Sequence, residues 1–253
     1  MTVYHLYFSP CETTYDATYV FCRAVSQNAA VEVNLTDRET EVPDMPAGSV
    51  AVVAGPVYAG RIPAPMADKL ARARMEGVKV VTFAVYGGRA YEDALLELND
   101  LCEKAGAQVL ASAAIVSEHT FLPDLERGRP DEKDFEELRG FARSVCEKHA
   151  SGSFTPVTVP GNRPYRAGYK AGFVPETDTA MCRRCGVCAA VCPTGAIDPA
   201  EPSHTDITRC IDCMRCAENC TTGARAMPEA ARTKIAGMLS PLLGGRKANE
   251  FYL

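Results

Sequence analysis

Apolar positions in the first 150 residues fall in short blocks separated by amphipathic stretches. Residues 3–8 (Val-Tyr-His-Leu-Tyr-Phe) read as a buried strand, and 9–12 as a loop. From residue 13 to about Gln27 the spacing is helical, with Thr13 or Thr14 near its start. An alternating run over 31–35 and a fully apolar one over 49–54 predict two more strands, the latter followed by the loop Gly55-Pro56-Val57-Tyr58-Ala59-Gly60. A helix is expected over about 64–76 and a strand over 79–85. Then come the loop Tyr86-Gly87-Gly88-Arg89, a helix over 91–104 and a strand over 108–116. An acidic-rich helix from 131 to about 148 closes the unit. Strands alternating with helices at this spacing predict an α/β fold with a doubly wound parallel sheet. Ligands of such sheets sit beyond the carboxyl ends of the strands.

The pattern changes after residue 150. Residues 151–177 interleave four prolines and four glycines with Phe154, Tyr165, Tyr169 and Phe173, which predicts an ordered linker laid on a surface. A short amphipathic helix is expected over 228–243, and 244–253 shows no pattern. The organisation expected is therefore an α/β domain over 1–150, the linker over 151–177, a cysteine-rich domain over 178–228 and a tail over 229–253.

The chain has 253 residues, 47% of them hydrophobic and 23% charged, with a net charge of -5. That balance fits a globular protein and argues against a general nucleic-acid binder. No apolar run approaches the roughly 18 residues of a membrane helix, and the start lacks the basic region of a secretory leader. A cytoplasmic protein is expected. Twelve cysteines in a reducing compartment point to metal or redox chemistry rather than disulfides.

Eight of the twelve lie in two runs of one spacing. Cys182-x2-Cys185-x2-Cys188-x3-Cys192-Pro193 is followed, 28 residues later, by Cys210-x2-Cys213-x2-Cys216-x3-Cys220. Gly195-Ala196 and Gly223-Ala224 repeat at the same offset, so the segment is an internal duplication. Three cysteines at intervals of three wrap one face of a cubane cluster, whereas zinc sites use paired Cys arms. The segment resembles the bacterial two-cluster ferredoxins, in which the fourth cysteine of each run ligates the other cluster. The resemblance implies two 4Fe-4S clusters in a small α+β domain. One is held by Cys182, Cys185, Cys188 and Cys220, the other by Cys210, Cys213, Cys216 and Cys192. Two positions depart from regularity: Thr221 stands where the second run would carry proline, and Arg225 stands opposite Ile197 of the first repeat. An arginine near its cluster would stabilise the reduced state and separate the two potentials; the alternative is a solvated side chain.

Three loops leave the carboxyl ends of the first, third and fourth strands. Tyr7-Phe8-Ser9-Pro10, Gly55-Pro56-Val57-Tyr58-Ala59-Gly60 and Tyr86-Gly87-Gly88-Arg89-Ala90-Tyr91 resemble the flavodoxins, and more closely flavodoxin modules fused to two-cluster ferredoxins. The resemblance implies a flavodoxin-like five-stranded sheet of order 2-1-3-4-5 and a bound FMN. Ser9, Pro10, Cys11, Glu12, Thr13 and Thr14 would hold the phosphate. Pro56, Val57, Tyr58, Ala59, Gly60, Tyr86, Gly87, Gly88, Arg89 and Tyr91 would flank the ring, with Tyr58, Tyr86 and Tyr91 as stacking candidates. The family's phosphate loop runs Ser/Thr-x-Thr-Gly-x-Thr. Here Cys11 replaces a threonine, and Glu12 brings negative charge where glycine would allow positive φ. Cys11 does not begin a phosphatase-type Cys-x5-Arg loop, because Ala17 stands at the arginine position. Cys22, Cys102 and Cys146 lie on helical stretches as core or half-buried thiols. His119 follows the fifth strand, either as a residue approaching the ring pocket or as a loop histidine without a role.

Residues 1–150 carry net -8 and the remainder net +3, to which two oxidised clusters with their thiolates would add about -4. A basic redox partner fits that charge. The function expected is an electron-transfer protein relaying electrons between FMN and two clusters, with no general acid in the flavin loops. Two other readings stay open: an FMN-dependent reductase of a small acceptor fed by the clusters, and a flavin-free ferredoxin with a flavodoxin-like docking domain.

Overall fold

The computed structural model describes residues 2–26, 29–152 and 154–253. Each apolar block of the N-terminal part becomes a strand. β1 (Val3–Tyr7), β2 (Val31–Asn34), β3 (Val50–Pro56), β4 (Lys79–Tyr86) and β5 (Gln108–Val116) lie parallel in the order β2-β1-β3-β4-β5. Leu6 pairs with Val33 on one side and Val53 on the other, and Val52 with Val81. β3 is buried on both faces from Val50 to Gly55, as a central parallel strand must be.

Alternation along that strand divides the core. Val52 and Ala54 face α1 (Thr13–Val25) and α4 (Glu132–Ser151), where Phe21, Cys22, Leu138 and Phe141 meet Phe83 and Ile115. Ala51 and Val53 face the opposite layer, where α2 (Ala64–Arg72) and α3 (Ala94–Lys104) supply Met66, Leu70, Leu95, Leu98 and Cys102. Cys22 and Cys102 are thus core thiols, and Cys146 lies half-buried against the first layer. The expected end of the first helix, Gln27, lies outside the described residues. The second helix stops at Arg72 rather than near 76, because fully buried Met75 turns its amide to the Ala105 carbonyl at 2.6 Å. The third begins at Ala94 rather than at 91, since Tyr91 is drawn into the core ahead of it.

The sheet has six strands, not the five expected. β8 (Glu250–Tyr252) pairs antiparallel with β5, Phe251 opposite Ala113. Asn249 locks the entry: its Oδ1 accepts from Val116 N at 2.9 Å and its Nδ2 donates to Asp134 and Glu137. Arg246 donates to Asp131 and Asp134, and Arg129, buried with Glu126 and Asp134, donates to the Lys247 carbonyl. The tail therefore covers an edge that would otherwise expose unpaired backbone.

The segment after α4 runs back over α3. Asp93 accepts from the Asn162 and Arg166 amides at 2.8 Å, and Asp100 from Arg163 and Tyr165. It leads to β6 (Glu176–Thr177), α5 (Val187–Ala190), α6 (Arg215–Glu218) and β7 (Arg225–Ala226), with β6 and β7 antiparallel. α7 (Glu229–Leu239) follows, shorter than the expected 228–243.

Candidate functional site

The duplication in the cysteine segment is also a duplication of backbone. Arg184 and Asp212 have φ 51° and 52°, Gly186 and Met214 have φ 75° and 58°, and Gly195 and Gly223 have φ 61° and 66°. Asp178 N donates to Ala224 O and Asp206 N to Ala196 O, both at 2.8 Å; Cys182 N and Cys210 N then donate to the Asp178 and Asp206 carbonyls at 3.0 Å. The start of each run is thereby tied to the end of the other, the crossing that exchange of the fourth cysteine requires.

Cys192, Cys210, Cys213 and Cys216 line one cavity, closed by Ile197, Ile211, Met214 and Pro175. Burial pushes the Cys210 thiol up to about 12 and raises Cys213 further, so thiolates there need a cation to hold them. In the other set Cys185 is exposed, and Cys182, Cys188 and Cys220 are half-buried. Burial opposes ionisation of Cys220, but hydrogen bonds from Thr222 and nearby amides bring its thiol below the usual range.

A second cavity, ≈ 150 Å³, opens at the carboxyl ends of β3, β4 and β5. Thr13, Pro56, Val57, Tyr58, Ala59, Tyr86, Gly87 and Arg89 line it, together with Ser117 to Phe121 from the loop after β5. Its remaining wall comes from the other half of the chain: Tyr169, Ile211, Asp212 and Cys213. Cys213 and Ile211 thus face both cavities. Tyr58 and Tyr169 meet edge to face at 6.1 Å. Burial, with Cys213 and Cys11 close by, pushes the Tyr58 phenol well above its usual range. Gly87 must be glycine, because a Cβ would stand 2.6 Å from the His119 ring. Tyr91 points elsewhere, its hydroxyl donating to Glu250 at 2.7 Å.

Ser9, Pro10, Cys11 and Glu12 line a separate polar recess with Tyr15, Asp16, Arg215 and Glu218. Glu12 adopts φ 62°, so glutamate does not deny the loop the left-handed backbone that glycine would supply; the exposed side chain leaves the turn intact. Ser9 Oγ accepts from Tyr15 N at 3.0 Å. Thr14 is buried in the first turn of α1. The Cys11 thiol, pushed up to about 12 by burial, donates to the Cys213 carbonyl at 3.2 Å. Arg215 reaches back to Asp37 at 2.9 Å and to the Thr36 carbonyl. These bonds fasten the loop after β1 to the second cysteine run.

Sequence reasoning overlooked Asp212 and Arg215, placed Tyr169 only as a linker aromatic, and assigned His119 no definite role. Asp212 is almost wholly buried between Cys210 and Cys213, accepting from Tyr169 Oη at 2.6 Å and Gly172 N at 2.8 Å. Its signal was a carboxylate inside a cysteine run. His119 lines the ring cavity; burial lowers its pKa, and its Nδ1 accepts from Phe121 N at 3.1 Å, which leaves a neutral ring with Nε2 as the N–H. Arg225 is buried, not solvated: Nη1 donates to Thr177 Oγ1 and Pro202 O, and Nη2 to Thr205 Oγ1 and Pro175 O.

Residues 175–198, which include the first cysteine run, match the 4Fe-4S binding domain. Among solved structures the chain is similar to a flavodoxin of Streptococcus pneumonia TIGR4, at 16% identity and TM-score 0.41, over 58% of this chain and 99% of that one. Oxidised flavodoxin 2 of Bacillus cereus is similar at 15% identity and TM-score 0.42, over 58% and 99%. The rubredoxin oxygen:oxidoreductase of Desulfovibrio gigas is similar at 14% and 0.39, over 59% of this chain and 37% of that one. No curated protein matches. Among the described residues no helix is long and apolar enough to cross a membrane. The strand order β2-β1-β3-β4-β5 is that of the flavodoxin-like fold, and the segment around the first cysteine run matches a 4Fe-4S binding domain.

Proposed function

We propose that this chain is a cytoplasmic electron-transfer protein that relays electrons between one FMN and two 4Fe-4S clusters, to or from a protein redox partner. The observation that carries the reading is the double placement of Cys213, which lines the four-cysteine cavity and the cavity at the strand ends. Cys192, Cys210, Cys213 and Cys216 would hold the cluster on the flavin side. Cys182, Cys185, Cys188 and Cys220 would hold the outer one, where exposed Cys185 gives a partner access.

The residues fit these groups. Four cysteines converging on one small cavity are a ligand set for an iron–sulfur cluster. The cavity at the strand ends offers Tyr58 and Tyr169 with the backbone of two glycine-containing loops. The phosphate would lie in the neighbouring recess at Ser9 to Glu12. There the amides of Cys11, Glu12 and Thr14 have no partner among the described residues, and Arg215 supplies a cation against the carboxylates of Glu12, Asp16 and Glu218. FMN, when bound, exchanges one or two electrons and so joins one-electron to two-electron chemistry.

The chain's own work is positional. Cys11 and Arg215 hold the cysteine run against the loop after β1, and Tyr169 holds the linker to Asp212. The acidic N-terminal part would steer a basic partner. Acid-released flavin, iron and sulfide, measured on anaerobically purified protein, test the proposal. One FMN with eight irons per chain is expected; iron without flavin, not restored by added FMN, would reduce the α/β part to a docking scaffold.

A further inference from the structure

Arg225 occupies the place that Ile197 fills in the first repeat, and both are buried to about the same degree, each 4% exposed. Ile197 bridges to Thr205, and Arg225 pairs with Thr177, the positions matched by the duplication. The guanidinium therefore lies where the two halves of the cysteine segment cross. It reaches Thr205 of the opposite half at 2.6 Å.

All four of its hydrogen-bond acceptors are neutral: two threonine hydroxyls and two proline carbonyls. By contrast Arg129, also buried, is paired with both Glu126 and Asp134. A buried cation without an anion is costly, and proteins rarely keep one unless a counter-charge arrives from elsewhere. Arg225 Nε is buried with no partner among the described residues, so a donor is left over as well as a charge. β7, which carries Arg225, packs against α6, which carries Cys216.

We propose that Arg225 is an inter-cluster counter-cation, with Nε–H directed to the Cys216 sulfur, and that it raises the reduction potential of both clusters, that of the Cys216 cluster more. This rests on the two-cluster reading above. Each cluster gains one electron and one unit of negative charge on reduction, and a fixed buried cation stabilises that added charge. The first repeat, with isoleucine at the matching place, contributes nothing comparable. The effect is thus a directional bias built by one side chain: the flavin-side cluster is made the better electron acceptor of the two.

The test is an anaerobic redox titration of the full holoprotein, followed by electron paramagnetic resonance, with iron counted per chain. Arg225→Ile should lower both midpoints. The Cys216 cluster should lose at least tenfold in its reduction equilibrium, about 59 mV for a one-electron couple. Arg225→Lys, which keeps the charge and loses Nε–H, should retain most of the wild-type potential. Unchanged midpoints in Arg225→Ile at full iron content overturn the proposal. If that variant does not assemble its clusters, Arg225→Gln decides, since a midpoint equal to wild type there overturns the proposal too. A wild-type protein with only four irons would instead overturn the two-cluster reading, and its single midpoint should still fall in Arg225→Ile.

Discussion

Replacing Glu12 by glycine separates the backbone of the loop after β1 from its charge. Glu12 holds φ 62°, a left-handed conformation that costs a non-glycine residue roughly 1 kcal/mol. Its carboxylate stands at the mouth of the recess where the FMN phosphate would lie, beside Asp16, whose own carboxyl is raised by partial burial and by Glu12. Two unit charges about 4 Å apart in water repel by about 1 kcal/mol. A phosphate of nearly two charges roughly doubles this, and physiological salt screens it back to about 1 kcal/mol. Glu12→Gly should therefore tighten FMN binding by about five- to tenfold. Riboflavin, which has no phosphate, should bind the variant and the wild type equally. Glu12→Gln removes the charge and keeps the left-handed side chain, so it should match the gain in FMN affinity without the added thermal stability of Glu12→Gly. Fluorescence titrations of flavin-free protein with the two flavins measure this directly. Equal tightening of riboflavin, or no change for FMN, would refute the placement of the phosphate beside Glu12.

Two further outcomes concern stability. Deleting residues 245–253 uncovers β5 and strips Arg246 and Asn249 from Asp134, leaving Arg129 and the Asp131 amide as its partners. A loss of about 3 kcal/mol is expected, from several hydrogen bonds to a buried charge, together with concentration-dependent association through the open edge; an unchanged unfolding temperature would contradict it. The linker should come away from α3 in acid. Burial opposes the ionisation of Asp93 and Asp100, but donors from Arg166 and Asn162, and from Arg163 and Tyr165, hold both carboxyls below their usual range. Groups depressed in the folded state give stability that is complete above the unfolded value of about 3.9 and lost as pH falls through their folded values. Hydrogen exchange at residues 162–166 should stay slow down to about pH 4 and rise below it; a rise already at pH 6 would contradict the carboxylate account.

Strands announced themselves wherever burial on both faces forces an apolar run, as in β3 and β4, and the cysteine runs did so because one spacing recurs 28 residues later. What the sequence hid was decided by distant partners. Glu250-Phe251-Tyr252 is too short for a periodic signal, and becomes a strand only because Asn249 and Tyr91 bind it beside β5. Helical spacing through Arg74, Met75 and Glu76 was overridden by a core that needed Met75. The burial of Arg225 depends on Thr177, Pro202 and Thr205, up to 48 residues away. Asp212 and Tyr169 meet only once the linker has folded over the cysteine run. The ring cavity was legible in its loops and not in its fourth wall, since nothing local to Cys213 says that it faces two cavities.

That shared wall is tested most directly by reducing the reconstituted holoprotein anaerobically with a protein one-electron donor, too large to enter the cavity at the strand ends. Cluster and flavin absorbance are followed together in wild type and in Cys213→Ser, with iron counted in each. The wild-type flavin should be reduced after the clusters and as completely. In the variant, if the Cys213 cluster is missing and the other retained, the flavin should stay oxidised while the remaining cluster is reduced. Flavin reduction at the wild-type rate without the Cys213 cluster would contradict the account.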